Sequence, residues 1–168
     1  MKFPELPASL DAALKDRGYE NATQVQAEVL QDQAAGRDLV VSAQTGSGKT
    51  IAFGLAMAAE LLGDGDRFDY AQGPLALVIA PTRELALQVS RELGWLYAKA
   101  GGHIASCVGG MNPQAERKEL RGGANIVAGT PGRLRDHLER GALDLSGLRA
   151  VVLDEADEML DMGFREEL

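Results

Sequence analysis

Short apolar runs alternate with longer stretches of helical spacing along most of the chain. The runs at 39–42, 75–80, 104–108, 125–128 and 150–153 are apolar at nearly every position rather than at every second one. Such runs predict strands buried on both faces, as in a parallel sheet. Helical spacing follows each run. Leu85, Val89, Leu93 and Leu96 form one stripe, and Leu134 and Leu138 begin another. This alternation predicts an α/β fold, a mostly parallel sheet with helices on both faces. Residues 4–34 predict helices packed beside the sheet. Residues 63–73, rich in glycine and aspartate, predict a polar surface loop.

The run at 39–42 leads into Ala43-Gln44-Thr45-Gly46-Ser47-Gly48-Lys49-Thr50, and an apolar helical stretch follows. Strand, glycine-containing loop and helix in that register is the context of a phosphate-binding loop. Gly46 and Gly48 let backbone N–H groups turn inward around an anion, and the helix start adds its positive end. Lys49 would reach the outer phosphates and Thr50 would hold Mg²⁺. Ala43 stands where the usual pattern has its first glycine. A nucleotide hydrolase also needs a carboxylate on the metal side, at the tip of another strand. The run at 150–153 ends in Asp154-Glu155-Ala156-Asp157. Asp154 would hold Mg²⁺, and Glu155 would orient and polarise the attacking water. Helix-start preference alone accounts for Asp157.

Net charge changes the picture of possible partners. The 168 residues carry a formal charge of −8, which argues against a surface built for broad phosphate neutralisation. A nucleic acid would have to be held by local backbone donors. No apolar run approaches the roughly 18 residues of a membrane span, and the first residues lack the apolar core of a signal peptide. The one cysteine, Cys107, cannot form an internal disulfide and reads as a buried structural thiol. These features together predict a cytoplasmic protein.

With the alanine-containing loop and Asp-Glu-Ala-Asp both present, the chain resembles the DEAD-box family of ATP-dependent RNA helicases, of bacterial type. The family's loop normally carries alanine at its first position. The resemblance implies a RecA-like P-loop NTPase domain with ATP and Mg²⁺ as cofactors. It makes Lys49, Asp154 and Glu155 the catalytic residues. Residues 18–26 look like the family's Q motif, with Ala22 where proline is usual. By resemblance Gln26 reads the adenine edge and Tyr19 stacks on the ring, while Thr23-x-x-Gln26 is equally a helix capping box. Pro81-Thr82-Arg83 and Thr130-Pro131-Gly132-Arg133 match the family's RNA-contacting segments, and Gly109-Gly110 allows close backbone approach. Each also reads as an ordinary turn or helix start: Thr130 suits an N-cap and Pro131 the first helical position. All three would lie at carboxyl ends of strands, where open α/β sheets bind ligands. Asp157 would couple to a second domain.

The family's Ser-Ala-Thr segment does not occur before Leu168. The resemblance therefore implies a single N-terminal RecA-like ATP-binding domain over 1–168, incomplete at its C-terminus. Its Q-motif helical region would span 1–36 and its core 37–168. It would work with RNA and a second RecA-like domain, and would not unwind duplexes alone. On the residues, a DNA-directed or non-helicase P-loop ATPase and a catalytically silent RNA-binding fragment stay open. His103 and His137 read as structural or surface residues. Trp95, Met57, Met159 and Met162 read as packing, and 114–121 as a solvated helix.

Overall fold

The computed structural model describes residues 1–31, 48–69 and 73–168. The strand expected at 39–42 and loop residues Ala43, Gln44, Thr45, Gly46 and Ser47 lie outside the described residues. Four expected strands are present: β1 (Ala76–Ile79), β2 (Ile104–Cys107), β3 (Ile126–Gly129) and β4 (Ala150–Leu153). They form one sheet in the order β2-β3-β1-β4. Each described pairing is parallel, with Val78 opposite Ala128 on one side and Val152 on the other. Every carboxyl end therefore points to the same edge.

The nearly continuous apolar runs follow from what covers the two faces. On one face Ala76, Val78, Ile126 and Ala128 pack into a core with Leu10, Ile51, Leu93 and Leu96. These last four come from α1 (Ala8–Asp16), α3 (Lys49–Ala56) and α5 (Arg83–Tyr97). On the other face Leu77, Ala105, Cys107 and Val127 pack with Leu134 and Leu143. Leu134 belongs to α7 (Pro131–Glu139), and Leu120 of α6 (Pro113–Arg121) joins the margin. Odd and even strand residues thus meet different helices, so both must be apolar. Within the first core the Tyr97 hydroxyl donates to the Gly54 carbonyl at 2.6 Å. This links α5 to α3 and leaves the buried phenol no orphaned donor.

The remaining helices are short: α2 (Gln24–Val29), α4 (Ala58–Leu62) and α8 (Ala156–Asp161). Met57 and Met159 are buried as expected, whereas Met162 is 49% exposed and does not pack. Leu138 is also largely exposed, so the α7 stripe is narrower than its spacing suggests. Residues 114–121 form α6 as expected, but that helix is not solvated all round, because Glu116 is buried. Val151 and Leu153 of β4 are about half exposed, so this strand is covered on one face only among the described residues. No helix of the described residues is long and apolar enough to cross a membrane.

Candidate functional site

Two groups of side chains gather at the carboxyl edge of the sheet. In the first, α3 begins at Lys49 with Gly48 as its N-cap, in the left-handed region at φ 84°. Any side chain at 48 would be strained there and would run into the Gln26 amide. Lys49 reaches across to the tip of β4. Its Nζ lies 2.9 Å from Asp154 Oδ1 and 2.7 Å from Glu155 Oε1. Burial alone would pull the Lys49 pKa down. Hydrogen bonds to Glu155 and Asp154, with their charges, outweigh it and hold the ammonium above the ordinary lysine range. Asp154 is 3% exposed, and its Oδ2 is buried with no hydrogen-bond partner among the described residues. An orphaned carboxylate oxygen beside a paired one is the arrangement expected where a hard cation belongs. Thr50, half-buried in the first turn of α3, follows directly on Lys49.

Glu155 is the only non-glycine residue with positive φ among the described residues, at φ 55°, ψ 50°. It is the N-cap of α8, and that backbone costs a non-glycine residue about 1–2 kcal/mol. Turned this way, its carboxylate faces Lys49. Asp157 sits exposed in the first turn of α8.

The segment expected to read adenine is wired to the phosphate loop. Thr23 and Gln26 form a complete capping box at the start of α2. Gln26 is fully buried, and its Oε1 accepts from the Thr23 N–H at 2.9 Å. Its Nε2 donates to the Gly48 carbonyl at 3.2 Å. One of its amide hydrogens is therefore committed to the loop, not to a base. Tyr19 stacks on Trp95 with ring centroids 5.6 Å apart, and the Arg17 guanidinium lies 5.0 Å from the Trp95 centroid. Trp95 thus supports the aromatic expected to stack on a base. No sequence pattern links 19 to 95.

The second group brings together the three segments expected to contact RNA. Thr82 caps α5, accepting from the Leu85 N–H at 3.2 Å, with buried Pro81 before it and exposed Arg83 after it. Residues 108–111 make a tight turn with Gly110 at φ 83°, which favours glycine. A Cβ at Gly110 would also stand 2.8 Å from Arg83 Nη1, so Arg83 packs directly against this turn. Arg83 Nη2 lies 3.6 Å from the Met111 sulfur. From the other side Arg133 Nη1 donates to the Met111 carbonyl at 3.0 Å and to Glu116 Oε1 at 2.9 Å. Arg133 is therefore an internal brace, not the free charge that its position suggests. Thr130 occupies the N-cap of α7 and Pro131 its first turn, but the Thr130 hydroxyl makes no cap hydrogen bond. Gly132 is exposed beside it.

Glu116 was not legible as a site residue. It is 6% exposed and takes three donors: Arg133, the His137 ring at 2.8 Å and the Val108 N–H at 2.9 Å. His137 is fully buried, in keeping with a structural role. Burial, with help from Glu116 and Glu119, pushes the Cys107 thiol up to about 12.

A parallel sheet with a loop lysine, a strand-tip acid pair and helix starts on one edge defines a RecA-like P-loop NTPase domain. The DEAD/DEAH box helicase family model matches residues 23–168, and the chain belongs to that family. It is 46% identical over 164 residues to the ATP-dependent RNA helicase DeaD of Escherichia coli (strain K12), covering 97% of this chain and 25% of the relative. It is 41% identical to the ATP-dependent RNA helicase DDX50 of Homo sapiens, covering 99% of this chain and 22% of that protein. The chain thus spans about a quarter of the length of these curated relatives. Among solved structures, a DEAD box protein from the hyperthermophile Methanococcus jannaschii superposes with a TM-score of 0.83 at 36% identity, over 98% of this chain and 43% of that one. A hypothetical ATP-dependent RNA helicase from Sulfolobus tokodaii gives 0.82 at 34% identity, over 95% and 44%.

Proposed function

We propose that this chain is the ATP- and RNA-binding motor domain of an ATP-dependent RNA helicase, which acts with a second RecA-like domain. The observation that carries the reading is the ion cluster of Lys49, Asp154 and Glu155, with one Asp154 oxygen buried and unpartnered. A lysine and two carboxylates held 105 residues apart in sequence (49 to 154) at one sheet edge suit phosphate chemistry better than structural pairing. Replacing a largely buried pair such as Lys49–Asp154 by apolar residues of similar volume is often neutral or favourable for stability.

In this reading Lys49 leaves the carboxylates and pairs with the outer phosphates of ATP at the start of α3. Thr50 and the free Asp154 oxygen would hold Mg²⁺, which supplies charge neutralisation at the phosphates when bound. Glu155 accepts a hydrogen bond from the attacking water and takes its proton. The water oxygen bonds to the γ-phosphorus, and the bond from that phosphorus to the β–γ bridging oxygen breaks, releasing ADP and phosphate. Gln26 and Tyr19 select adenine, and because Gln26 also holds Gly48, base recognition and loop geometry are coupled. RNA is bound through Pro81–Arg83, Gly109–Gly110 and Thr130–Arg133. These segments offer mainly backbone N–H groups to a single strand's phosphates, without reading sequence. Asp157, exposed on α8, faces outward for interdomain coupling.

A titration of this chain with fluorescent ADP and GDP, with and without Mg²⁺, tests the reading. Preference for ADP, strengthened by Mg²⁺ and lost in Lys49→Ala, is expected. Equal binding of ADP and GDP, or binding indifferent to Lys49→Ala, would refute it.

A further inference from the structure

We propose that Glu116 is a positioning residue of the RNA-contacting face, a buried carboxylate that holds the 108–111 turn and the first turns of α7 in one fixed relation. The proposal rests on the RNA-binding reading above. Glu116 Oε2 accepts the Val108 N–H at 2.9 Å, on the residue that opens the turn. Its Oε1 accepts Arg133 at 2.9 Å and His137 at 2.8 Å, one and two turns into α7. Arg133 then donates to the Met111 carbonyl at 3.0 Å, on the residue that closes the turn. The turn is thus gripped at both ends through a single ion pair. Neither Glu116 nor Arg133 need touch RNA for this.

The charges explain why a carboxylate is needed. Three donors converge on two oxygens, which an ionised carboxylate accepts readily. A neutral amide presents one oxygen and one NH₂. Whichever way it is turned, at least one donor faces another donor. The pair also cancels the Arg133 charge, so backbone N–H groups and Arg83 are what this face presents. Because Glu116 accepts, His137 must carry its proton on Nε2, and its buried Nδ1 has no partner among the described residues.

A metal site is the competing reading, since ligand atoms of Cys107, Glu116 and His137 lie within 4.8 Å of one another. The Glu116 oxygens, however, are already occupied by three donors, and a guanidinium sits 2.9 Å from one of them. Burial also keeps the Cys107 thiol protonated. A divalent ion bound to Glu116 would bring a second positive charge against the Arg133 guanidinium.

The test uses this chain, ¹⁵N-labelled, as wild type, Glu116→Ala and Glu116→Gln. Each is titrated with oligouridylate while amide shifts are followed, and separately with ADP. Glu116→Ala should weaken RNA about tenfold, with Glu116→Gln in between, as expected for loss of a charge-assisted network. The Gly110 amide should shift in the free variants, and ADP affinity should stay within about twofold, since the loop and strand tip are untouched. A folded variant that binds RNA like wild type overturns the proposal. So does a parallel loss of RNA and ADP affinity in Glu116→Gln, which would mark a general structural role. If Glu116→Ala does not fold, Glu116→Gln decides, and if neither folds the residue is structural and the proposal falls. A wild-type chain whose Gly109 and Gly110 amides ignore RNA would sink the RNA-binding reading first, and this one with it.

Discussion

Replacing Glu155 by glycine should make the protein more stable than replacing it by alanine. At most sites the order is the reverse. A glycine is ordinarily worse than alanine by about 0.5–1 kcal/mol, because its unfolded chain is freer. At 155 the backbone is left-handed, at φ 55°, ψ 50°. Alanine there retains a strain of about 1–2 kcal/mol that glycine does not feel. The difference leaves glycine ahead by roughly 0.5–1 kcal/mol. Both variants lose the bridge to Lys49, whose Glu155 side chain is 43% exposed. That loss is worth about 0–1 kcal/mol and cancels in the comparison. Urea unfolding followed through Trp95, the only tryptophan, reads the result. With a slope of about 1–3 kcal/mol per molar, the glycine midpoint should lie higher by roughly 0.2–1 M. An alanine variant as stable as the glycine one would refute the claim that strain is stored at this position.

Other perturbations separate fold from chemistry. Lys49→Ala should destabilise the chain by about 3 kcal/mol, the lower end for stripping a buried charge of its partner, since Lys49 keeps some exposure. In an Asp154→Asn background the same change should cost far less, which urea melts of the double-mutant cycle would show. The Lys49 pKa is raised on folding, so the stability from its pairing is complete below the unfolded value of 10.5 and disappears as pH climbs through the higher folded value. The gap between wild type and Lys49→Met should therefore be flat from neutral pH to about 10 and close only above that. The Cys107 thiol, pushed up to about 12 by burial, should react with a disulfide reagent at pH near 8 only as fast as the protein opens, whereas the urea-unfolded chain reacts at once.

Four strands were legible to within two residues: β1, β2 and β3 because parallel strands packed between two layers are apolar throughout, and β4 because its residues are apolar even though Val151 and Leu153 are about half exposed among the described residues. The strand-tip acids were legible for a related reason. A charge ending an apolar run has few structural explanations, and Asp154 and Glu155 indeed meet Lys49. What resisted reading was the identity of partners far along the chain. Glu116 lies in a helix whose neighbours are charged and solvated. Its burial is decided by His137 and Arg133, 21 and 17 residues away. Arg133 looks like a free cation from its helix-start position, yet the same contact turns it inward. Tyr19 carries no local sign that Trp95 lies beneath it. Nor does any local code mark Glu155 for a left-handed backbone. That conformation accompanies the abrupt passage of β4 into α8, with only Asp154 and Glu155 between them.

The inward turn of Arg133 bears on how an acidic chain could hold RNA at all. The formal charge is −8. Of the two arginines in the expected contact segments, only Arg83 lacks a carboxylate partner among the described residues. Thr82 satisfies one N–H of α5, but Thr130 leaves the first N–H groups of α7 without a side-chain cap. Uncapped N–H groups at a helix start are ones from which a phosphate could accept. Attachment of this kind releases few counterions. On a single strand each neutralised phosphate contributes a slope of about −0.7 in log affinity against log salt, so Arg83 alone should give roughly that value. Two free arginines would double it, and a broad basic surface would go well past −3. Fluorescence titrations of oligouridylate from low to physiological salt would read the slope, and Arg83→Ala should bring it near zero. A slope that stays steep without Arg83 would mean that the grip is ionic after all, and that the uncapped start of α7 is incidental.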